Sequence, residues 1–360
     1  MSKVNLYDLG LNENYVKEAA MYDGDLYIAR VSVQHKDMYK VITECGEIFA
    51  EISGKMNYLS KSAISYPAVG DWVLVDRTSD QNGNAIIHHI LSRKSCFERK
   101  VAGAKIDSQV IATNIDTVLI CMALNNDFNI RRLERYISVA WDSMAVPVIV
   151  LTKSDLCSDI ESKLLEVRSI AIGIDILVTS SMSEDGYSSI NEFIKKGKTV
   201  AFIGSSGVGK STLINRLLDR DELKTNGIGN DDKGRHTTTH RQLFLVPDGG
   251  VVIDTPGMRE LGIMKADLDK SFSDIEEIAQ GCKFSDCHHE NEPKCAVREA
   301  IENGILDRER LESYRKLQRE LKYSELNSKQ LEREKINGIF GSMGAVKEFR
   351  KFVKNKNKRG

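Results

Sequence analysis

The sequence predicts a multidomain chain: a small N-terminal β-barrel, a central α/β domain and a C-terminal helical domain. Three observations predict it. Five short β-branched or alternating runs crowd into residues 26–91, with no useful helical period between them. From about Thr117 to Leu261, continuous apolar runs alternate with helical stretches. After about Asp267 the chain turns polar and helical and carries a Cys/His cluster.

The barrel runs are DLYIARVSV, MYKVITEC, EIFAEIS, DWVLVD and AIIHHIL, separated by turn signals such as CGE, VGD and QNGN. Five strands in so short a span suggest an OB-fold, a barrel that commonly binds oligonucleotides; an SH3-like barrel gives a similar pattern. The α/β strands are TVLICMAL, VPVIVLT, DILVTS, TVAFIG, QLFLVP and VVIDTPG. The expected boundaries are an N-terminal extension at 1–21, the barrel at 22–100, the α/β domain at 101–265 and the helical domain with a basic tail at 266–360.

Totals exclude several classes. The 360 residues are 41% hydrophobic and 29% charged, with a net charge of −1, so the whole molecule is not a general polyanion binder. No apolar run approaches the ~20 residues that cross a bilayer, and the N-terminus does not read as a signal peptide. A cytoplasmic protein without membrane contact is expected. Of seven cysteines, three fall within Cys282–Cys295, which in a reducing compartment favours metal over disulfide. Cys45, Cys96, Cys121 and Cys157 read as small core residues.

The chemistry begins at GSSGVGKST. Gly204, Ser205, Ser206, Gly207, Val208, Gly209, Lys210, Ser211 and Thr212 follow an apolar strand and open a helix, the setting a phosphate loop requires. Its glycines let successive N–H groups curl toward phosphate oxygens, and the helix start adds positive potential. Lys210 would reach the β- and γ-phosphates, and the Ser211 hydroxyl would hold Mg²⁺. Asp254 ends a later apolar strand, where it would hold Mg²⁺ through water, and the Gly257 N–H would meet the γ-phosphate. Between them, GRHTTTHRQ suits a switch segment in which one of Thr237–Thr239, here taken as Thr238, completes the Mg²⁺ shell.

The base is read from LTKSD, Leu151–Asp155. Guanine presents two adjacent donors that a carboxylate accepts, and adenine has neither there, so Asp155 selects GTP while the Lys153 stem covers the ring. Thr152 stands where the usual pattern has Asn and offers no amide to the guanine edge; Ser154 completes the loop. Ser180, in VTSSM, marks a second base-contacting loop. Base reader thus precedes phosphate loop in the chain. An open α/β domain tolerates such a cut when its loops still converge, so the domain reads as a circularly permuted GTPase.

This motif order, FNIRRLERY at Phe128–Tyr136, GRHTTT and the Cys/His cluster together resemble the RsgA (YjeQ) family over about residues 22–350. The resemblance implies an OB-fold, a permuted GTPase domain, a zinc domain and a role in late maturation of the bacterial small ribosomal subunit. Met258 follows Gly257 where Ras-like enzymes orient water with Gln, an apolar replacement the family shares, so turnover is expected to be slow alone and faster on the subunit. His236 is the local candidate to orient or polarise water.

Cys282, Cys287, His289 and Cys295 form C-x₄-C-x-H-x₅-C, a closed set of soft ligands for one structural Zn²⁺. His288 competes by adjacency, and the resemblance favours His289. Arg93, Lys94, Arg99, Lys100 and Lys105 in SRKSCFERKVAGAK join barrel to GTPase domain and are expected at RNA phosphates. In the tail, Lys347, Arg350, Lys351, Lys354, Lys356, Lys358 and Arg359 face one acid, Glu348. The expected partners are GTP, GDP, the small ribosomal subunit and its rRNA, met by a monomer. Competing readings are a P-loop ATPase or small-molecule kinase, and a non-catalytic RNA-binding module switched by GTP.

Overall fold

A computed structural model describes residues 3–35, 38–59, 63–79, 81, 83–100, 108–180, 187–219, 241–247, 249–254 and 268–325. The chain opens with a 3-10 turn, Leu6–Leu9, and helix α1, Glu13–Ala19. Asn5 and Asn12 cap them, each side-chain oxygen accepting from first-turn N–H groups. Leu6, Leu9, Leu11 and Tyr15 are buried in a core that also holds Trp72 and Phe97, so this extension is packed into the body.

Strands β1 (Tyr27–Gln34), β2 (Tyr39–Thr43), β3 (Gly46–Ile52), β4 (Trp72–Val75) and β5 (Ala85–Ile90) pair in the order β1-β2-β3-β5-β4, and β4 returns to β1. That closure, with a parallel β3–β5 pair, is the Greek-key barrel of an OB-fold. Ala29, Val31, Val41, Ala50, Val73 and Ile87 fill it. Helix α2, Gly54–Leu59, follows β3, where the sequence reading expects none. Six residues are too few for a helical period to register, but Ser53 marks the start: its Oγ accepts from Met56 N at 3.1 Å.

The basic stretch after the barrel departs from expectation. Cys96–Lys100 is a strand, β6, paired with β7, Ser108–Thr113. Arg93 is turned inward onto Asp71, at 2.9 and 2.7 Å, while Lys94 stays exposed and pairs with Asp116 at 2.7 Å. Asp71 is fully buried and also accepts from Ala68 N and Thr113 Oγ1, so Arg93 neutralises a core carboxylate instead of meeting a phosphate. Lys105 lies outside the described residues. Of the scattered cysteines, Cys121 lies in the core as expected, and Cys45 departs from that expectation. Cys96 and Cys157 are half-buried, and Cys45 is exposed in the β2–β3 turn.

The α/β unit follows in the expected order. It comprises β8 (Thr117–Ala123), α3 (Ile130–Asp142), β9 (Val146–Thr152), α4 (Ile160–Arg168), β10 (Asp175–Val178), α5 (Ser188–Asn191), β11 (Thr199–Gly204), α6 (Lys210–Leu217), β12 (Gln242–Leu245) and β13 (Val251–Asp254). In space the order is β10-β9-β8-β11-β13-β12, parallel except for β12. The phosphate-loop strand β11 therefore sits at the centre, although it comes fourth in the chain. Val33 of β1 pairs with Gln242 of β12, so barrel and α/β sheet form one hydrogen-bonded sheet.

Four helices end the described chain: α7 (Leu268–Ser271), α8 (Ser273–Ala279), α9 (Ala296–Glu302) and α10 (Arg308–Glu325). Phe272, Val297, Leu311 and Leu317 join the same apolar cluster as α3 and the N-terminal segment. Among the described residues no helix is long and apolar enough to cross a membrane.

One buried cation ties these parts together. Arg30 is 1% exposed and lies 5.2 Å from the Trp72 ring centre. It donates to the carbonyls of Leu9, Gly70 and Asn114 and to Thr199 Oγ1, the last at 2.8 Å. Burial pushes its pKa down to about 10, with Tyr15, Asp116 and Asp71 opposing, so it stays cationic at neutral pH. Arg30→Met keeps the bulk and strands these acceptors. It should cost about 3 kcal/mol and lower the melting temperature by roughly 5–10 °C, read by thermal denaturation.

Candidate nucleotide site and metal centre

The phosphate-loop residues form the tight turn between β11 and α6. Gly204 has φ 141°, and a Cβ there would stand 2.3 Å from the Cys121 carbonyl oxygen of the neighbouring strand, so only glycine fits. Gly207 and Gly209 also have positive φ, at 77° and 97°. Lys210 Nζ donates to the carbonyls of Gly204 and Ser205 at 2.8 and 2.6 Å, which holds the ammonium within the curl of the loop. Ser211 and Thr212 occupy the first turn of α6, half-buried. Asp254 is buried at the end of β13, the strand beside β11. Hydroxyl and carboxylate oxygens are the donor type Mg²⁺ takes.

The residues expected at the base lie at the ends of β9 and β10, which are adjacent and parallel. Lys153 adopts a left-handed conformation, φ 57°, and turns the chain sharply after β9. Ser180 Oγ then donates to Asp155 Oδ1 at 2.5 Å, and Ser154 N donates to Thr179 O at 3.2 Å. The two stretches singled out for the base are thus joined by direct hydrogen bonds. Asp155 itself is exposed.

Thr152 has a role the sequence reading missed. Its Oγ1 donates to the Val208 carbonyl in the phosphate loop at 2.6 Å. The side chain at this position fastens the end of β9 to the phosphate loop. His236, Thr238, Gly257 and Met258, with the basic tail at 341–360, lie outside the described residues.

The four expected metal ligands converge. One ligand atom each from Cys282, Cys287, His289 and Cys295 lies within 4.8 Å of all the others. His289 Nδ1 stands 3.6 Å from Cys282 Sγ and 3.4 Å from Cys295 Sγ, and those two sulfurs are 3.9 Å apart. His288 is exposed and stays out of the cluster. His289 has φ 61°, and Arg315 of α10 donates to its carbonyl oxygen, so a helix pins the loop from behind. Burial resists ionisation of Cys282, yet backbone N–H groups of Val297 and Ala296 hold its thiol below the ordinary value. Burial and hydrogen bonds with its sulfur neighbours push Cys287 up to about 11. Burial, then Arg315, lowers His289, which favours the neutral, ligating imidazole.

Comparison with known proteins agrees with this geometry. The family model described as RsgA GTPase matches residues 90–264. "Small ribosomal subunit biogenesis GTPase RsgA 2" of Lactiplantibacillus plantarum is 49% identical over 345 residues, covering 96% of this chain and 97% of that protein. Its likeness therefore extends beyond residues 22–350, into the N-terminal segment. "Small ribosomal subunit biogenesis GTPase RsgA 1" of Oceanobacillus iheyensis is 46% identical, covering 89% and 93% of the two chains. Among solved structures, YjeQ from Thermotoga maritima superposes with TM-score 0.61 at 29% identity, over 82% of this chain and 99% of that one. "YloQ, a circularly permuted GTPase" gives TM-score 0.58 at 26% identity, over 83% and 96%. With so high an identity across nearly its whole length, the chain belongs to the RsgA GTPase family.

Proposed function

We propose that this GTPase binds the small ribosomal subunit in the cytoplasm, assists its late maturation, and hydrolyses GTP to GDP and phosphate when docked. The observation that carries the nucleotide half is the double fastening of the base reader, Asp155 to Ser180 and Thr152 to the phosphate loop at Val208. Guanine recognition and phosphate binding then share one rigid frame. The subunit half is supported by the names of the curated relatives and by the OB-fold barrel, whose class commonly binds oligonucleotides.

In this reading the loop N–H groups from Gly204 to Thr212 and the Lys210 ammonium neutralise the phosphates. Asp155 takes the guanine edge, and Lys153, Ser154 and Ser180 frame the ring. Mg²⁺ arriving with GTP would be held by Ser211, Asp254 and Thr238 and would offset charge between the β- and γ-phosphates. Gly257 meets the γ-phosphate, and His236 orients water in place of the side chain Met258 lacks. The cysteine–histidine cluster holds one structural Zn²⁺. A tetrahedron with Zn–S bonds of ~2.3 Å has sulfur edges of about 3.8 Å, close to the separation seen here. The proposed units are the barrel at 22–100, the GTPase domain at 101–265 and the zinc domain at 266–360.

Three measurements test this. Excess GTP should displace a bound guanine nucleotide and ATP should not, while Asp155→Asn should weaken GTP by about a hundredfold; equal displacement by ATP would end the guanine assignment. Purified protein should carry about one zinc, lost together with folded C-terminal structure in Cys282→Ser; less than half an equivalent in wild type argues against the site. Purified small subunits should accelerate turnover, and His236→Ala should cut the accelerated rate by about a hundredfold with little change in GTP affinity. A variant that is still fully accelerated removes His236 from the mechanism.

A further inference from the structure

The run FNIRRLERY, Phe128–Tyr136, opens α3 and takes no part in the chemistry above. Its charged side chains reach in two directions. Asn129 caps the helix, accepting from Arg132 N at 2.8 Å, and so fixes the turn from which three arginines leave. Arg132 Nη1 meets both oxygens of Asp127, at 2.9 and 3.0 Å, and donates to Ser205 Oγ in the phosphate loop at 2.5 Å. Ser205 is buried and already gives its carbonyl to Lys210, so this loop residue is gripped by both its side chain and its backbone.

The neighbouring residues of α3 hold the C-terminal module. Arg131 pairs with Asp307 and Glu309 at the start of α10, and Arg135 pairs with Glu320 at 2.7 Å. Glu134, 2% exposed, accepts from Arg310 at 2.8 Å, and Arg310 forks onto Asp274 of α8 at 2.6 and 2.7 Å. Exposed pairs are worth little, so the buried Glu134–Arg310–Asp274 group is the firm joint and the others guide it. All these anchors lie within about six ångströms of helix axis, at a rise of ~1.5 Å per residue.

We propose that Arg132 is a positioning residue for the phosphate loop, and that α3 makes the loop responsive to what the C-terminal module binds. The identity of that partner rests on the function proposed above. A shift of the module turns the first turn of α3, Arg132 carries the movement to Ser205, and the loop N–H groups move with it. A misplacement of about 1 Å at reacting groups changes rate by roughly a hundredfold, so small motions suffice.

The test is a double-mutant cycle in GTP turnover, with and without purified small ribosomal subunits. Arg132→Ala and Ser205→Ala should each lower kcat/KM by about tenfold, and the double variant should be no worse than either. Losses that multiply would overturn the contact. On the far side, Asp307→Ala with Glu309→Ala should leave unstimulated turnover and metal content at wild-type levels and reduce stimulation by about threefold. Arg310→Met, with metal content confirmed, should reduce it further. Full stimulation in both would overturn the route through α3. Absence of stimulation in wild type would defeat the functional reading instead, and the cycle in unstimulated turnover would still decide the contact.

Discussion

A guanidinium with no water around it must find its partners in the protein, and Arg30 finds them in four places. The N-terminal segment, the loop before β4, the end of β7 and the start of β11 each supply one acceptor. Leaving such a charge unmet costs several kcal/mol, so these parts can take up few other arrangements. Tyr15 strengthens the joint: burial pushes its hydroxyl up to about 12, and it stays protonated to donate to Asn114 Oδ1 at 3.0 Å.

The same junction closes the seam left by permutation. The segment after β10 leads through α5 and Lys195–Lys198 into β11, joining halves of the domain that a Ras-like order keeps apart. Asp8 O accepts from Gly197 N at 2.9 Å there, so the N-terminal segment covers the join. The barrel and the C-terminal module extend from the ends that the permutation opened, before β8 and after β13. Both pack onto the apolar cluster that lines one face of the sheet.

What could be read from sequence depended on how local the signal was. The six α/β strands are continuous apolar runs and were all legible, as were the five alternating barrel strands. Strand β6 was not. CFERK reads as charged linker, and only Phe97, 1% exposed, and its pairing with β7 make it a strand. The phosphate loop and the metal ligands carry their chemistry in spacing. His289 could be told from the adjacent His288 only by resemblance, because its left-handed backbone has no spacing signal. The Thr152 and Arg132 links to the phosphate loop, 56 and 73 residues away in sequence, exist only once the chain has folded.

The pairing of Val33 with Gln242 has a consequence for how such a protein can be rebuilt. The barrel is not a cassette that can be exchanged for another small β-domain by cutting at its connectors. Removing it would bare the outer edge of β12, an unpaired strand ready to stick to any other open sheet. A transplanted barrel would have to bring a first strand of matching hand and register. Modular exchange in this architecture therefore begins with the sheet edge, and only then with the outward face of the barrel.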